Sequence, residues 1–168
     1  MLDKDNGTGF RPKEHNVTGS VYHIKPPSPL YYYSCCNNFW WCLNNLAKGI
    51  ARDELPYVMS MLNNEVRSEL HSILDWYIGI HHGFDLTTGK SSKYIKKYLP
   101  PEIYSQYSAT YSGSNYDDIW KSIYIMCNLF HEIAIAVAAY YNFTYKQSDE
   151  DGMLKYIEMV KDEIKTKR

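Results

Sequence analysis

The chain has 168 residues, of which 45% are hydrophobic, with 18 basic and 19 acidic side chains. That length suits one domain with one core. The near balance of charge argues against nucleic acid, or an anionic membrane surface, as the main partner.

Aromatic residues are abundant, with 17 Tyr, 4 Trp and 5 Phe. They fit either a ring-rich core or a half-buried cleft lined with rings. Cys35, Cys36, Cys42 and Cys127 form no C-x-x-C pair, so a zinc site is not expected. Reduced, mostly buried thiols in a cytoplasmic protein are the simpler account. No signal peptide is expected, and no membrane span. The most apolar stretch, 119–141, is interrupted by Lys121, Asn128, His131 and Glu132.

Residues 1–27 read as a non-helical arm, punctuated by Asn6-Gly7, Gly9, Pro12, Gly19 and Pro26-Pro27. Within it, Val21-Tyr22-His23-Ile24 has the composition of a short strand. So little apolar content over such a length points to an extended linker, or an arm docked on a neighbouring domain. Residues 28–168 read as an all-α domain.

Ser28 caps a predicted helix that begins at Pro29 and runs to about Arg52. Phe39, Leu43, Leu46, Ala47 and Ile50 recur at helical spacing, and Trp40 and Trp41 widen that apolar face. Asp53 is placed to cap a second helix, with Pro56 in its first turn. Its stripe is Leu55, Met59, Leu62, Val66, Leu70, Ile73, Leu74 and Tyr77. It is predicted to end near Gly79, leaving His81-His82-Gly83 as loop. Short helices are predicted over 91–99 and 101–111, the first stopped by Pro100-Pro101. Ser114 and Asp117 resemble a capping box for a long helix that buries Ile119, Trp120, Ile123, Cys127, Phe130, Ala134 and Val137. A last helix starts near Ser148, with acidic residues in its first turn and Lys165, Lys167 and Arg168 at its end. The expected architecture is a bundle of about three long helices plus shorter ones, with an extended N-terminal arm.

The most informative segment for chemistry is Gly89–Leu99. On a helix, Lys90, Lys93, Tyr94 and Lys97 share one face, and Ser91 and Ser92 stand at its start. That arrangement makes either an anion site or a solvated basic face. Gly89-Lys90-Ser91 is not the end of a P-loop, because Gly83 lies one residue too far upstream and no buried strand precedes it. Asp75-Trp76-Tyr77 sets a carboxylate among rings, which can hold a cation or simply pack.

Other candidates are weaker. Arg67 and His71 form an exposed-looking helical pair, reminiscent of helical ribonucleases of the HEPN class, which space the two residues more widely. His81-His82 lacks a third metal ligand. His131-Glu132 reads as a satisfied buried polar pair. No nucleophile elbow occurs, and no G-S is followed by D-x-D in the manner of a two-metal nucleotidyl-transfer site. No catalytic or metal-binding residue is therefore assigned.

Three segments together resemble the aminoglycoside 6-adenylyltransferases. The first is Cys35-Cys36-Asn37-Asn38-Phe39-Trp40-Trp41-Cys42, continuing through Ala47-Lys48-Gly49 to Glu54-Leu55-Pro56-Tyr57. The second is Leu74-Asp75-Trp76-Tyr77-Ile78-Gly79, continuing to Gly89-Lys90, Lys93-Tyr94 and Lys97-Tyr98-Leu99-Pro100. The third is Tyr111-Ser112-Gly113-Ser114, continuing through Trp120 to Cys127-Asn128-Leu129-Phe130. The opening Leu2-Asp3-Lys4-Asp5 also resembles that family's passage out of its first domain.

The resemblance implies a two-domain enzyme that moves AMP from ATP to a hydroxyl of streptomycin and releases pyrophosphate. Its N-terminal α/β domain would carry the G-S motif and the carboxylates for Mg2+. Its helical C-terminal domain would close over ATP and antibiotic. Only that second domain is matched here, so the chain alone is expected to be inactive. On this basis Lys90, Lys93, Tyr94 and Lys97 become candidates for the nucleotide phosphates. Trp40, Trp41, Asp75 and Tyr77 become candidates for the cationic aminoglycoside. The alternative is a stand-alone helical binding or HEPN-like interaction module.

Overall fold

Helix formation starts at a single hydroxyl. Ser28 has extended backbone angles, and its side chain accepts the Tyr31 N–H, which caps α1 (Pro29–Ala51). The computed structural model describes residues 22–166, so most of the predicted arm lies outside the described residues. Of the predicted short strand, Val21 also lies outside them. Tyr22 and His23 form a turn and bend instead of a strand. Ile24 N–H donates to the Leu86 carbonyl at 2.9 Å, which lays this segment against a later loop.

The second predicted helix forms in three pieces: α2 (Leu55–Ser60), a wider π-helical turn (Met61–Val66) and α3 (Arg67–His82). Asp53 does not cap it. Its φ is +61°, and Glu54 occupies the cap position without a side-chain bond. Val58, Leu62, Val66, Leu70, Leu74 and Ile78 recur every four residues, and all are buried. Steps of four slightly exceed the 3.6-residue period, and the wider turn absorbs the difference. α3 also runs past Gly79, so His81 and His82 are helical rather than loop.

The predicted helix over 91–99 does not form. Two 3-10 turns, Lys90–Ser92 and Ile95–Lys97, take its place. Ser91 and Ser92 both have φ of +55°, a left-handed conformation that ends any regular helix. α4 (Pro101–Ala109) follows. α5 (Tyr116–Tyr141) is capped by Asn115, whose side-chain oxygen accepts from the N–H groups of Asp117 and Asp118. Ser114 stands one residue too early for the predicted capping box. α6 (Gln147–Thr166) closes the fold, and no strand occurs among the described residues.

The core lies between α1, α3 and α5, with α6 packed along α1 and α4 against α5. Phe39 of α1 stacks on Phe130 of α5 with centroids 3.7 Å apart, and the Tyr32 hydroxyl donates to the Ala134 carbonyl at 2.9 Å. α5 is long and apolar enough to cross a membrane, yet Ile119, Met126, Leu129, Phe130, Ala134 and Val137 are all buried in this core. Polar pins fix the periphery. His131 contacts Glu150 on α6 at 2.7 Å, while Glu132 is exposed, so the partner of His131 is not its sequence neighbour. Tyr145 donates to the same carboxylate at 2.8 Å, and Trp40 Nε1 donates to Tyr145 at 3.0 Å.

Candidate functional site

The loop between α3 and α4 builds a cleft. α3 ends at Gly83, with φ of +90°, and the chain turns back along the helix. At its return, the Tyr94 N–H donates to the Thr88 carbonyl at 2.8 Å, closing residues 88–94 into a compact loop. Gly89 permits this closure, with φ of +76° and an imagined Cβ only 2.8 Å from the Tyr94 ring. The resulting cleft of about 820 Å3 runs between α3, this loop and residues 22–25.

Asp75, Lys90, Lys93 and Tyr94 all line that cleft, together with Trp76. Residues proposed for two different ligands therefore share one cavity. Asp75 is half-buried, and burial pushes its carboxyl up to about 6, partly offset by a hydrogen bond donated by Thr88 Oγ1 at 2.9 Å. No ion pair joins Asp75 to Lys90 or Lys93. One acidic and two basic residues thus line the same cleft without forming an ion pair.

Lys90, Lys93, Tyr94 and Lys97 do not share a helical face, because the segment is not helical. The loop gathers them in another way. Lys93 Nζ lies 4.8 Å and Lys97 Nζ 4.6 Å from the centre of the Tyr94 ring. Lys97 itself lines a second cleft of about 480 Å3, with Tyr77, His81, His82 and Tyr98. Tyr77 therefore faces away from the Asp75 cleft and packs on His81, with ring centroids 4.2 Å apart. Both histidines are bonded to carbonyls, His81 to Tyr77 and His82 to Tyr98.

The tryptophans on α1 belong elsewhere. Trp40 is 2% exposed and sits edge-on to Phe39 and Phe130, which removes it from any surface site. Trp41 is 63% exposed, so it does not widen the buried face, and it does not line the cleft. Trp76, not Trp40 or Trp41, lines the cleft beside Asp75. The signal was its adjacency to Asp75 on a helix turned toward the loop.

Arg67 and His71 are not an exposed pair. Arg67 is 3% exposed, donates to Asn63 and twice to Thr110, and lies 3.7 Å from the centre of the Tyr111 ring. His71 Nε2 meets the Tyr107 hydroxyl at 2.9 Å, and burial, aided by Arg67, lowers its pKa to about 4. Both residues tie α3 to the end of α4.

The described residues do not fit a magnesium site, since no group of three His, Cys, Asp or Glu side chains is placed to hold a metal ion. Asp149-Glu150-Asp151 has the D-x-D spelling. However, Asp149 pairs with Lys146, Glu150 with His131, and Asp151 accepts from Gln147, so all three acids are engaged in the start of α6. Cys35, Cys36 and Cys127 are buried free thiols and Cys42 is partly exposed; burial raises the pKa of all four and suppresses the reactive thiolate.

Residues 1–160 match the family model described as streptomycin adenylyltransferase. An aminoglycoside 6-adenylyltransferase of Campylobacter jejuni is 33% identical over 150 residues, covering 89% of this chain and 51% of that protein. One from Bacillus subtilis (strain 168) is 32% identical over 158 residues, covering 94% of this chain and 54% of that protein. The crystal structure of an aminoglycoside 6-adenyltransferase from Bacillus subtilis superposes with a TM-score of 0.77 at 32% identity, covering 83% of this chain and 52% of that one. The chain thus spans about half the length of these relatives, and it belongs to the streptomycin adenylyltransferase family.

Proposed function

We propose that this chain is the helical, substrate-holding part of an enzyme that transfers AMP from ATP to a hydroxyl of an aminoglycoside such as streptomycin. The observation that carries this reading is the shared cleft, which has Asp75, Lys90 and Lys93 among its lining residues. A cationic antibiotic suits the Asp75 end, where the Trp76 ring adds a face for a guanidinium group. The triphosphate suits the lysine end, with Tyr94 as a platform and Lys97 supporting it from the second cleft. Such an arrangement orients two substrates toward each other, and charge is stabilised by groups already in place.

In this reading residues 1–27 connect to a nucleotidyltransferase domain that supplies the Mg2+ carboxylates, and residues 28–168 form the substrate-binding domain. The enzyme works in the cytoplasm, where ATP is available. No chemical step is assigned to this chain. Its 168 residues alone should not transfer AMP. Mass spectrometry of streptomycin incubated with the purified chain, ATP and Mg2+ should find no adenylylated product, and finding one would overturn this part of the proposal.

Binding is tested separately by nuclear magnetic resonance. Streptomycin should shift the amide signals of Asp75 and Trp76. ATP should shift those of residues 88–94, and Lys90→Ala with Lys93→Ala should weaken ATP by about tenfold or more while leaving streptomycin nearly unchanged. Signals moving only elsewhere, or not at all, would remove the assignment. The burial of Arg67 and the Tyr107 bond to His71 disfavour the HEPN-like alternative, because neither side chain is presented for chemistry.

A further inference from the structure

Thr88 occupies the junction of the cleft. The residue is 4% exposed, its hydroxyl donates to Asp75 Oδ1, and its carbonyl accepts the Tyr94 N–H. One residue therefore touches the carboxylate of α3 and closes the loop that bears the lysines. We infer that Thr88 is a positioning residue: it fixes Asp75 Oδ1 so that Oδ2 is presented to a cationic ligand. This deepens the substrate reading above and rests on it for the identity of that ligand.

The charged neighbours of Asp75 in the cleft support the inference. Residues 22–25 bring Tyr22, His23 and Lys25 to the cleft, and the loop brings Lys90, Lys93 and Tyr94. None of the lysines pairs with Asp75, and only burial and the Thr88 bond move its titration. The direction of the carboxylate is thus set by a neutral donor. A neutral donor suits a cation site well. It holds the carboxylate in one rotamer without cancelling the charge the ligand must meet, which lowers the ordering cost of binding.

The first readout needs no ligand. The side-chain carboxyl carbon of Asp75 is followed by carbon-13 magnetic resonance from pH 3 to 9. In the unsubstituted chain its midpoint should lie near 6. Thr88→Val removes the donor at constant shape and should move the midpoint up by about one pH unit, because the bond favours the charged form. Thr88→Ser keeps the hydroxyl and should restore it. Thr88→Ala repeats the test without the added methyl. An unchanged midpoint would overturn the assignment. So would a downward move, which would show that a lysine and not Thr88 governs the carboxylate.

The second readout is streptomycin affinity at pH 7.5, expected to fall about tenfold in Thr88→Val and to recover in Thr88→Ser. Loss in both variants would mean that Thr88 acts only through the fold. If the midpoint moves as expected but no variant binds streptomycin, the positioning role stands and the substrate reading fails.

Discussion

Asp75 and His71 lie one turn apart on α3, and their linkage to pH runs in opposite directions. The Asp75 carboxyl is raised from 3.8 to about 6 by burial. Between those values the unfolded chain has released its proton and the folded chain has kept it, so stability falls as pH rises, and the penalty is complete above about 6. Asp75→Asn should therefore stabilise the chain at pH 7.5 by roughly 1–3 kcal/mol and add little at pH 3. A residue whose removal stabilises the fold is expected where charge is kept for a ligand. His71 is lowered from 6.5 to about 4, so its contribution is full above 6.5 and is lost as pH falls toward 4. His71→Gln should flatten that acid loss. Urea denaturation at a series of pH values checks both, and pH slopes identical to those of the unsubstituted chain would contradict them.

At the scale of elements, the long helices were readable because apolar periodicity and burial agree. Ser28 was readable as a cap because a short side-chain oxygen before Pro29 has little else to do. The π-helical turn also left a trace, in apolar residues every four positions from Val58 to Ile78. The loop over 88–94 was misread, since its spacing predicted a helix from Ser91 that does not form. Its shape depends on left-handed Ser91 and Ser92 and on bonds to Asp75 and within the loop, which no local spacing encodes. The same limit explains the site residues. Lys90 and Lys93 were singled out for a shared helical face that does not form, and Asp75 for its place among rings, yet all three line one cleft. Trp40 and Trp41 differ in burial only because α1 turns one inward, and composition treats them alike. A prediction at this scale follows from Gly89. Gly89→Ala forces a left-handed alanine and a contact with Tyr94, so it should cost about 1–3 kcal/mol and weaken ATP binding. Gly113→Ala, with nothing within 4 Å of its Cβ, should change neither. Thermal melting and ATP titration of both variants check the contrast.

Across the whole molecule, the bundle serves as a frame for the cleft beside Asp75. The stack of Phe39 on Phe130 and the four-step stripe from α2 through the π-helical turn into α3 pack the core, and the α3–α4 loop folds back over that frame. Family membership then gives the cleft its context: a chain spanning about half the length of its adenylyltransferase relatives, with acidic and basic residues lining one cleft and no metal site among the described residues. The central claim is that Asp75 receives the cationic substrate. Calorimetric titration of streptomycin into the chain at pH 7.5, compared with the Asp75→Asn variant, tests it most directly. Binding should weaken at least about tenfold in the variant, and in the unsubstituted chain it should weaken as pH falls below about 6. Equal affinity in the two proteins, with no dependence on pH, would contradict the claim.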